Sequence, residues 1–156
     1  MTEQAQPATE TEVAVGLEEI DEAMPLVGII MGSKSDMDVM DGAASVLRDA
    51  GVHHEVRVMS AHRQPDLVAD YCSNARMRGL RVIIAGAGLS AALPGVAAAH
   101  TDLPVIGVPL SSRLSAMGGL DAILSVVQMP PGVPVASVGL DNAKNAGHLA
   151  LRILRA

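Results

Sequence analysis

The stretch from residue 82 to residue 101, VIIAGAGLSAALPGVAAAHT, decides the fold class of this chain. It contains no Asp, Glu, Lys or Arg and is long enough to cross a membrane as a helix. Gly86, Gly88, Pro94 and Gly95 interrupt it, however, and its many alanines dilute its hydrophobicity. The pattern changes from a β-branched strand to a glycine-rich loop and then to an alanine-rich helix. We therefore predict part of an α/β domain here and reject a membrane span.

The same alternation of short apolar runs and helical patterns extends in both directions from this stretch. Strands are predicted at residues 26–31, 54–59, 81–85, 104–108 and 134–138. Helices are predicted to end at Gly51, to run from Pro65 to a closing Gly79, and to lie at residues 91–100, 119–128 and 141–155. Parallel neighbours need crossover connections, so this order predicts a flavodoxin-like three-layer sandwich with a five-stranded parallel sheet, order 2-1-3-4-5.

The length of 156 residues predicts one α/β domain, residues 25–156, after an acidic tail, residues 1–24. Seven of the 17 acidic residues and none of the 11 Lys and Arg residues lie in that tail, so the domain itself is nearly neutral. This excludes a nucleic-acid footprint. The tail lacks the basic start of a secretory signal peptide, so we predict that it is a disordered cytoplasmic segment. Residues 13–24 are a candidate amphipathic helix within it. The single Cys72 excludes an internal disulfide and is expected to be an inert, partly buried thiol.

Three unusual loops follow the first three predicted strands. They read GSKSD at residues 32–36, SAHRQPD at 60–66 and AGAGLSAALPG at 85–95. Ligands of doubly wound sheets bind beyond the carboxyl ends of the strands, near the point where the strand order reverses. We therefore expect the three loops to converge on one site.

The GSKSD loop leads from a strand into a helix, where free backbone N–H groups favour an anion. Ser33 and Ser35 add hydroxyls for a phosphate, and Asp36 could accept hydrogen bonds from sugar hydroxyls. The alternative is that Ser35 only caps the helix and Gly32 only makes the turn. Lys34 is expected to point to water. The spacing is not that of a Walker loop.

The glycine loop matches the loose dinucleotide fingerprint G-x-G-x-x-A at residues 86–91. A dinucleotide site also needs an acid at the end of the next strand, and the nearby Asp102 precedes that strand instead. We therefore favour glycines that allow a flat ring or small molecule to approach the backbone.

His62 lies at the carboxyl end of a strand, beside the predicted phosphate loop. A histidine in a pocket rich in Ala and Gly suits a group that gains and loses a proton near neutral pH, as a general acid or base does. Arg63 could pair with a phosphate. No other His, Cys or acidic residue near His62 in the sequence has the spacing of metal ligands, so a metal site is not predicted. The other histidines, His53, His54, His100 and His148, are expected to be surface or locally hydrogen-bonded residues.

Several motifs in one order resemble class I aminoimidazole ribonucleotide carboxylases, the N5-carboxyaminoimidazole ribonucleotide mutase family of purine synthesis. The resemblance extends from about Leu26 to Ile153. Its motifs are MGSKSD (31–36), SAHRQPD (60–66), VIIAGAG (82–88), LPG (93–95), LPVIGVP (103–109), SVVQMPPGVPVA (125–136) and KNAGHLALRIL (144–154).

This resemblance implies a cytoplasmic isomerase of IMP biosynthesis that needs no metal, ATP or organic cofactor. It moves the carboxyl group of its ribonucleotide substrate from the exocyclic nitrogen to carbon 4 by release and recapture, with His62 as proton carrier. Ser33, Asp36 and Arg63 match ligand-binding positions. The remaining expected substrate-binding residues are Ser35, Ser60, Ala61, Ala87, Gly88 and Leu89. A homo-octamer and a transient contact with the upstream synthetase are also implied.

One part of the chain departs from the family pattern. Leu89-Ser90 replaces Gly-Ala, and Ala92 stands where the family usually has a histidine. Either the missing imidazole is dispensable and His62 carries the proton chemistry alone, or the protein handles an altered substrate. Three alternatives to the mutase are also open: direct carboxylation of aminoimidazole ribonucleotide with carbon dioxide, a noncatalytic ribonucleotide-binding protein, and a structural oligomer without a small-molecule site. Arg63 favours class I over class II enzymes, which carry a lysine there.

Overall fold

The computed structural model of the protein describes residues 24–156. Except for Met24, the predicted tail and its candidate helix lie outside the described residues. The strands are β1 (Val27–Met31), β2 (His54–Val58), β3 (Val82–Gly88), β4 (Val105–Leu110) and β5 (Ala136–Ser137). The α-helices are α1 (Met37–Asp49), α2 (Pro65–Ser73), α3 (Leu93–Ala99), α4 (Leu120–Val127) and α5 (Ala143–Leu154). Short 3₁₀ turns at Lys34–Asp36 and Ala116–Gly119 precede α1 and α4.

The five strands form one sheet in the order β2-β1-β3-β4-β5, and all four neighbouring pairs are parallel. This confirms the predicted fold class and strand order. The order reverses at β1, which lies between β2 and β3. The loops that follow these three strands therefore leave the sheet side by side at its carboxyl edge.

Helices cover both faces of the sheet, as a three-layer sandwich requires. Alternate residues of the central strands pack on α1 and α5 on one face and on α2, α3 and α4 on the other. In β1, for example, Ile29 belongs to the first core and Ile30 to the second, and both are fully buried. Apart from Tyr71, both cores consist of aliphatic side chains, Met and Cys, as the composition predicts. Among the described residues, no helix is long and apolar enough to cross a membrane.

Helix α1 ends as the sequence predicts. Gly51 has a left-handed backbone, with φ of 69°, and its N–H donates to the carbonyl of Arg48. The N–H of Val52 donates to the carbonyl of Leu47. These two bonds form a Schellman motif, which satisfies carbonyl groups that the helix end leaves open.

The predicted end of α2 at Gly79 is wrong by six residues, because the helix ends at Ser73. The Asn74 side chain donates to the carbonyl and the carboxylate of Asp70, at 2.9 and 3.1 Å. A short polar side chain that bonds the backbone in this way competes with helix propagation. Residues 74–79 continue instead as successive turns, which end at Gly79 with φ of 94°.

Candidate active site

A cavity of about 540 Å³ lies at the carboxyl edge of the sheet. The loops after β1, β2 and β3 line it, which confirms that they converge, and the loop after β4 completes it. All ten residues predicted from the sequence line this cavity: Ser33, Ser35, Asp36, Ser60, Ala61, His62, Arg63, Ala87, Gly88 and Leu89. Their placement at one site is therefore a structural fact, whereas their roles belong to the proposal below.

In the first loop, Ser33 rather than Ser35 is the capping residue, which corrects the alternative considered for this loop. Ser33 has an extended backbone, and its Oγ accepts a hydrogen bond from the N–H of Ser35 at 3.3 Å. The hydroxyl groups of Ser33 and Ser35 lie 2.9 Å apart. One hydroxyl donates to the other, and the second hydroxyl keeps its hydrogen for an acceptor group at the start of the 3₁₀ turn.

Asp36 ends that turn and directly precedes α1. Burial raises the pKa of its carboxyl group, and a backbone hydrogen bond from Ser33 only partly opposes this effect. Among residues 24–156 no ion pair neutralises this carboxylate, and a half-buried carboxylate of this kind gains most from a ligand that donates hydrogen bonds. Sugar hydroxyls are such donors.

His62 lies in a tight turn between β2 and α2. The Oγ of Ser60, which is buried, accepts a hydrogen bond from the N–H of Arg63 at 3.2 Å. The carbonyl of Ser60 accepts another from the N–H of Gln64 at 2.8 Å. These bonds fix the backbone on both sides of His62. Its imidazole is exposed to the cavity, and its Nε2 lies 3.0 Å from the carbonyl oxygen of Ser90.

The glycines of the third loop serve packing inside the protein, and the role predicted for them in letting a ligand approach the backbone stays a prediction. A Cβ at Gly86 would overlap the Met40 side chain of α1, and one at Gly88 would lie 2.9 Å from the carbonyl oxygen of Leu110 in β4. Gly88 does line the cavity, but β4 already occupies the side on which it lacks a side chain. The next residue, Leu89, adopts a left-handed backbone with φ of 55°.

Sequence reasoning missed the loop between β4 and α4. Ser112 and Leu114 of this loop line the cavity, together with the further lining residues Gly32, Ser90, Ala92 and Leu93. The neighbouring Ser111 is fixed by Asp141, whose carboxylate accepts from both its N–H and its hydroxyl. The position of this loop could have indicated its role, because SSRLS at residues 111–115 directly follows the fourth parallel strand.

Other reactive groups lie away from the cavity. Cys72 lies on the buried face of α2, in the core, and burial raises the pKa of its thiol to about 11. Within residues 24–156, no group of three or more His, Cys, Asp or Glu side chains is arranged to hold a metal ion. The cavity itself combines a guanidinium, hydroxyls, a carboxylate and an imidazole. Such a site can bind a phosphorylated sugar and move one proton.

Comparisons with known proteins agree with this arrangement. A family model described as AIR carboxylase matches residues 26–156. The N5-carboxyaminoimidazole ribonucleotide mutase of Pyrococcus abyssi is 60% identical over 131 residues, which are 84% of this chain and 74% of the relative. The chloroplastic phosphoribosylaminoimidazole carboxylase of Vigna aconitifolia is 57% identical over 129 residues, which are 83% of this chain and 23% of that longer protein.

A solved structure shows the same fold. The structure of Treponema denticola PurE superposes with a TM-score of 0.73 at 34% identity, covering 84% of this chain and 80% of that one. The sequence match spans nearly every described residue and includes all four loops that line the cavity. On these grounds, the chain belongs to the AIR carboxylase family.

Proposed function

We propose that this chain is a mutase that converts N5-carboxyaminoimidazole ribonucleotide to 4-carboxy-5-aminoimidazole ribonucleotide in purine (IMP) biosynthesis. One observation carries the proposal. His62 lies in the same cavity as Ser33, Asp36 and Arg63, in a chain 60% identical to a relative of that name. The cavity thus joins an anion-binding loop to a group that transfers protons, and a ribonucleotide undergoing proton transfer needs both.

The polar groups of the cavity divide between two parts of the substrate. Arg63 and the paired hydroxyls of Ser33 and Ser35 bind the phosphate, because a guanidinium and a helix start both favour an anion. Asp36 accepts hydrogen bonds from the ribose hydroxyls. The imidazole ring of the substrate lies against residues of the other two loops, namely Ser60, Ala61, Ala87, Gly88 and Leu89.

The reaction transfers one carboxyl group without a net change in protons. The bond between the exocyclic nitrogen and the carboxyl carbon breaks, carbon dioxide leaves, and the nitrogen receives a proton from His62. Carbon 4 then attacks the carbon dioxide held in the cavity, and its own proton returns to His62. His62 therefore acts first as a general acid and then as a general base, and no metal, ATP or organic cofactor takes part.

Two alternatives keep specific support. The name of the Vigna relative is that of a carboxylase, which favours direct carboxylation of aminoimidazole ribonucleotide with carbon dioxide. Leu89, Ser90 and Ala92, which depart from the family pattern, all line the cavity, and this favours a ribonucleotide-binding protein without turnover. The experiment below separates both from the mutase.

A cytoplasmic homo-octamer with transient access to the upstream synthetase completes the proposal. The loop before α4 and the outer face of that helix expose large apolar side chains, which self-association would cover. These side chains are Leu114, Met117, Leu120, Leu124 and Val127. A synthetase in the same compartment would deliver its unstable product directly.

The deciding experiment measures conversion of freshly made N5-carboxyaminoimidazole ribonucleotide by the wild type, His62→Asn and His148→Asn. The last variant is the matched control, because His148 is an exposed histidine of α5 that does not line the cavity. We expect His62→Asn to fold normally and to lose about 10²- to 10⁴-fold in turnover, as removal of a general acid or base does. Near-wild-type turnover by His62→Asn would refute the assigned role.

A parallel assay supplies aminoimidazole ribonucleotide and bicarbonate instead. Turnover only in this assay would establish direct carboxylation. Absence of turnover in both assays, with product binding shown by a raised melting temperature, would establish the binding protein. No effect of the product on the melting temperature would indicate a structural oligomer.

A further inference from the structure

The imidazole of His62 has two nitrogens, and the structure assigns different tasks to them. We propose that the backbone carbonyl of Ser90 is the positioning group of His62, which holds the proton on Nε2 and leaves Nδ1 as the nitrogen that exchanges a proton with the substrate. This inference rests on the proposed function, because it specifies which atom of His62 performs the proton transfer.

The hydrogen bond between His62 and Ser90 fixes the tautomer. Nε2 lies 3.0 Å from the carbonyl oxygen of Ser90. A carbonyl oxygen can only accept, so Nε2 must be the donor and carry a hydrogen. A neutral imidazole has one protonated nitrogen and one with a lone pair. In neutral His62 the lone pair is therefore on Nδ1.

The same bond persists through both steps of the reaction. In the first step Nδ1 gives its proton to the exocyclic nitrogen and regains its lone pair, while Nε2–H still donates to Ser90. In the second step the proton of carbon 4 binds to Nδ1, and the bond from Nε2–H to Ser90 remains. Only Nδ1 changes its protonation state, so the ring need not rotate or exchange protons with water between the steps.

The Ser90 carbonyl can act in this way because its peptide is held on both sides. The N–H of Ala91 donates to the carbonyl of Leu89 at 2.8 Å, which closes a three-residue turn centred on Ser90. Ala91 is buried in the core on one side of this turn. On the other side, Gly88 pairs with Leu110 of β4. The left-handed backbone of Leu89 joins the strand to the turn.

Fixed backbones therefore hold both partners of the hydrogen bond. The Ser60 turn fixes His62, as described above, and the Leu89–Ala91 turn fixes the carbonyl. The two residues are 28 positions apart in the sequence, so the bond joins the loop after β2 to the loop after β3. A positioning role predicts that damage to the Leu89–Ala91 turn lowers kcat, even though the histidine itself is unchanged.

The direct test identifies the protonated nitrogen of His62. The wild-type protein, labelled with ¹⁵N-histidine, is assigned by comparison with His62→Asn. We expect the resonances of His62 to show a protonated Nε2 and an unprotonated Nδ1, with the Nε2 hydrogen exchanging slowly with water. A protonated Nδ1 in neutral His62, or an Nε2 hydrogen that exchanges as fast as in free histidine, would overturn the inference.

The functional test blocks Nδ1. Replacing His62 with Nδ1-methylhistidine prevents proton exchange at Nδ1. The methylated ring donates from Nε2 to Ser90 only when it is protonated, because its neutral form carries the lone pair on Nε2. We expect turnover to fall at least about 10²-fold, with product binding retained as a raised melting temperature. If turnover stays within about tenfold of the wild type, Nε2 is the reactive nitrogen and the inference fails. If product binding is lost with turnover, the methyl group obstructs the site, and the isotope experiment decides alone.

Two substitutions at Leu89 test the turn. Leu89→Gly permits the left-handed backbone without strain, whereas Leu89→Val disfavours it because Val is β-branched. We expect kcat of the Val variant to lie about tenfold below that of the Gly variant, and equal kcat values would refute a positioning role for the turn. An inactive wild type would refute the proposed function, whereas an active wild type with these contrary results would refute only the positioning role.

Discussion

Two glycines at the contact between α1 and α5 should respond in opposite ways to the same substitution. A Cβ at Gly147 of α5 would lie 2.9 Å from Cβ of Val46 and 3.0 Å from the carbonyl oxygen of Ala43. A Cβ at Gly42 of α1 would lie 3.1 Å from Cγ of Lys144 and no closer than 3.5 Å to any backbone atom. The first site meets rigid atoms, whereas the second meets a flexible side chain.

The change in the free energy of unfolding for each substitution is the sum of two opposing effects, a gain in helix propensity and a cost of overpacking. Ala is better than Gly in a helix interior by about 1 kcal/mol, which favours the substitution at both sites. Carbon atoms pack best at about 3.5–4.0 Å, so a Cβ at Gly147 would push the helices apart by about half an ångström or more. Overpacking of this kind costs about 1–3 kcal/mol. We therefore expect Gly147→Ala to destabilise the protein by up to about 2 kcal/mol and Gly42→Ala to stabilise it by about 0.5–1 kcal/mol.

The assay is urea denaturation at 25 °C, with all variants at one protomer concentration because self-association would shift the apparent stability. The denaturation midpoint should fall for Gly147→Ala and rise for Gly42→Ala, with similar slopes in both. If Gly147→Ala is as stable as the wild type, then α1 and α5 can move apart enough to accept the added carbon at little cost. The contact between the two helices at Gly147 would then not be rigid. If both variants are destabilised equally, the distinction between rigid and flexible neighbours is wrong.

Three further predictions concern groups outside the cavity. The Cys72 thiol, whose pKa burial raises to about 11, should react with a thiol reagent at pH 8 only after the protein unfolds, and fast labelling of the native protein would contradict this. Burial alone would raise the pKa of the Glu55 carboxyl, but hydrogen bonds from Tyr71 and Arg78 outweigh it and hold the pKa below the usual 4.5. The stability contributed by Glu55 is therefore present above pH 4.5 and is lost as the pH falls through the lowered value, so Glu55→Gln should show a weaker acid dependence of the urea midpoint than the wild type. Gly51→Ala should cost about 1 kcal/mol through its left-handed backbone alone, since no atom lies within 4 Å of the added carbon, and an unchanged urea midpoint would show that the helix end relaxes.

The fold could be predicted from the sequence because its signals are local. The apolar runs and the cap at Gly51 each indicate an element without knowledge of the rest of the chain. The errors concern the ends of elements, which depend on tertiary contacts and on side chains that compete for backbone hydrogen bonds. Helix α2 ends early because Asn74 bonds its backbone. Strand β5 has only two residues, Ala136–Ser137, because only Ile106 and Gly107 of β4 pair with it.

The candidate site was predictable as a location and less so as a set of contacts. The parallel topology places the first three loops together, and all ten predicted residues line the cavity. The sequence could not reveal that Gly88 faces the carbonyl of Leu110, or that the Ser90 carbonyl meets His62, because each contact joins distant parts of the chain. A backbone carbonyl also carries no side-chain signal, so sequence patterns cannot indicate one as a functional group.

The distribution of left-handed residues connects the fold to the site. Among the described residues, those with positive φ that are not glycine are Leu89, Met117 and Asp141. All three lie in segments that follow β3, β4 and β5, at the edge of the sheet where the cavity opens. The glycines with positive φ lie at both edges: Gly51, Gly79 and Gly132 precede β2, β3 and β5, whereas Gly118 and Gly119 follow β4. A residue with a side chain pays about 1–2 kcal/mol of conformational free energy in the left-handed backbone conformation, and glycine avoids this cost. Strain kept at one edge of the sheet is expected where backbone groups must be held in a fixed direction, and the carbonyl of Ser90, directly after Leu89, is such a group.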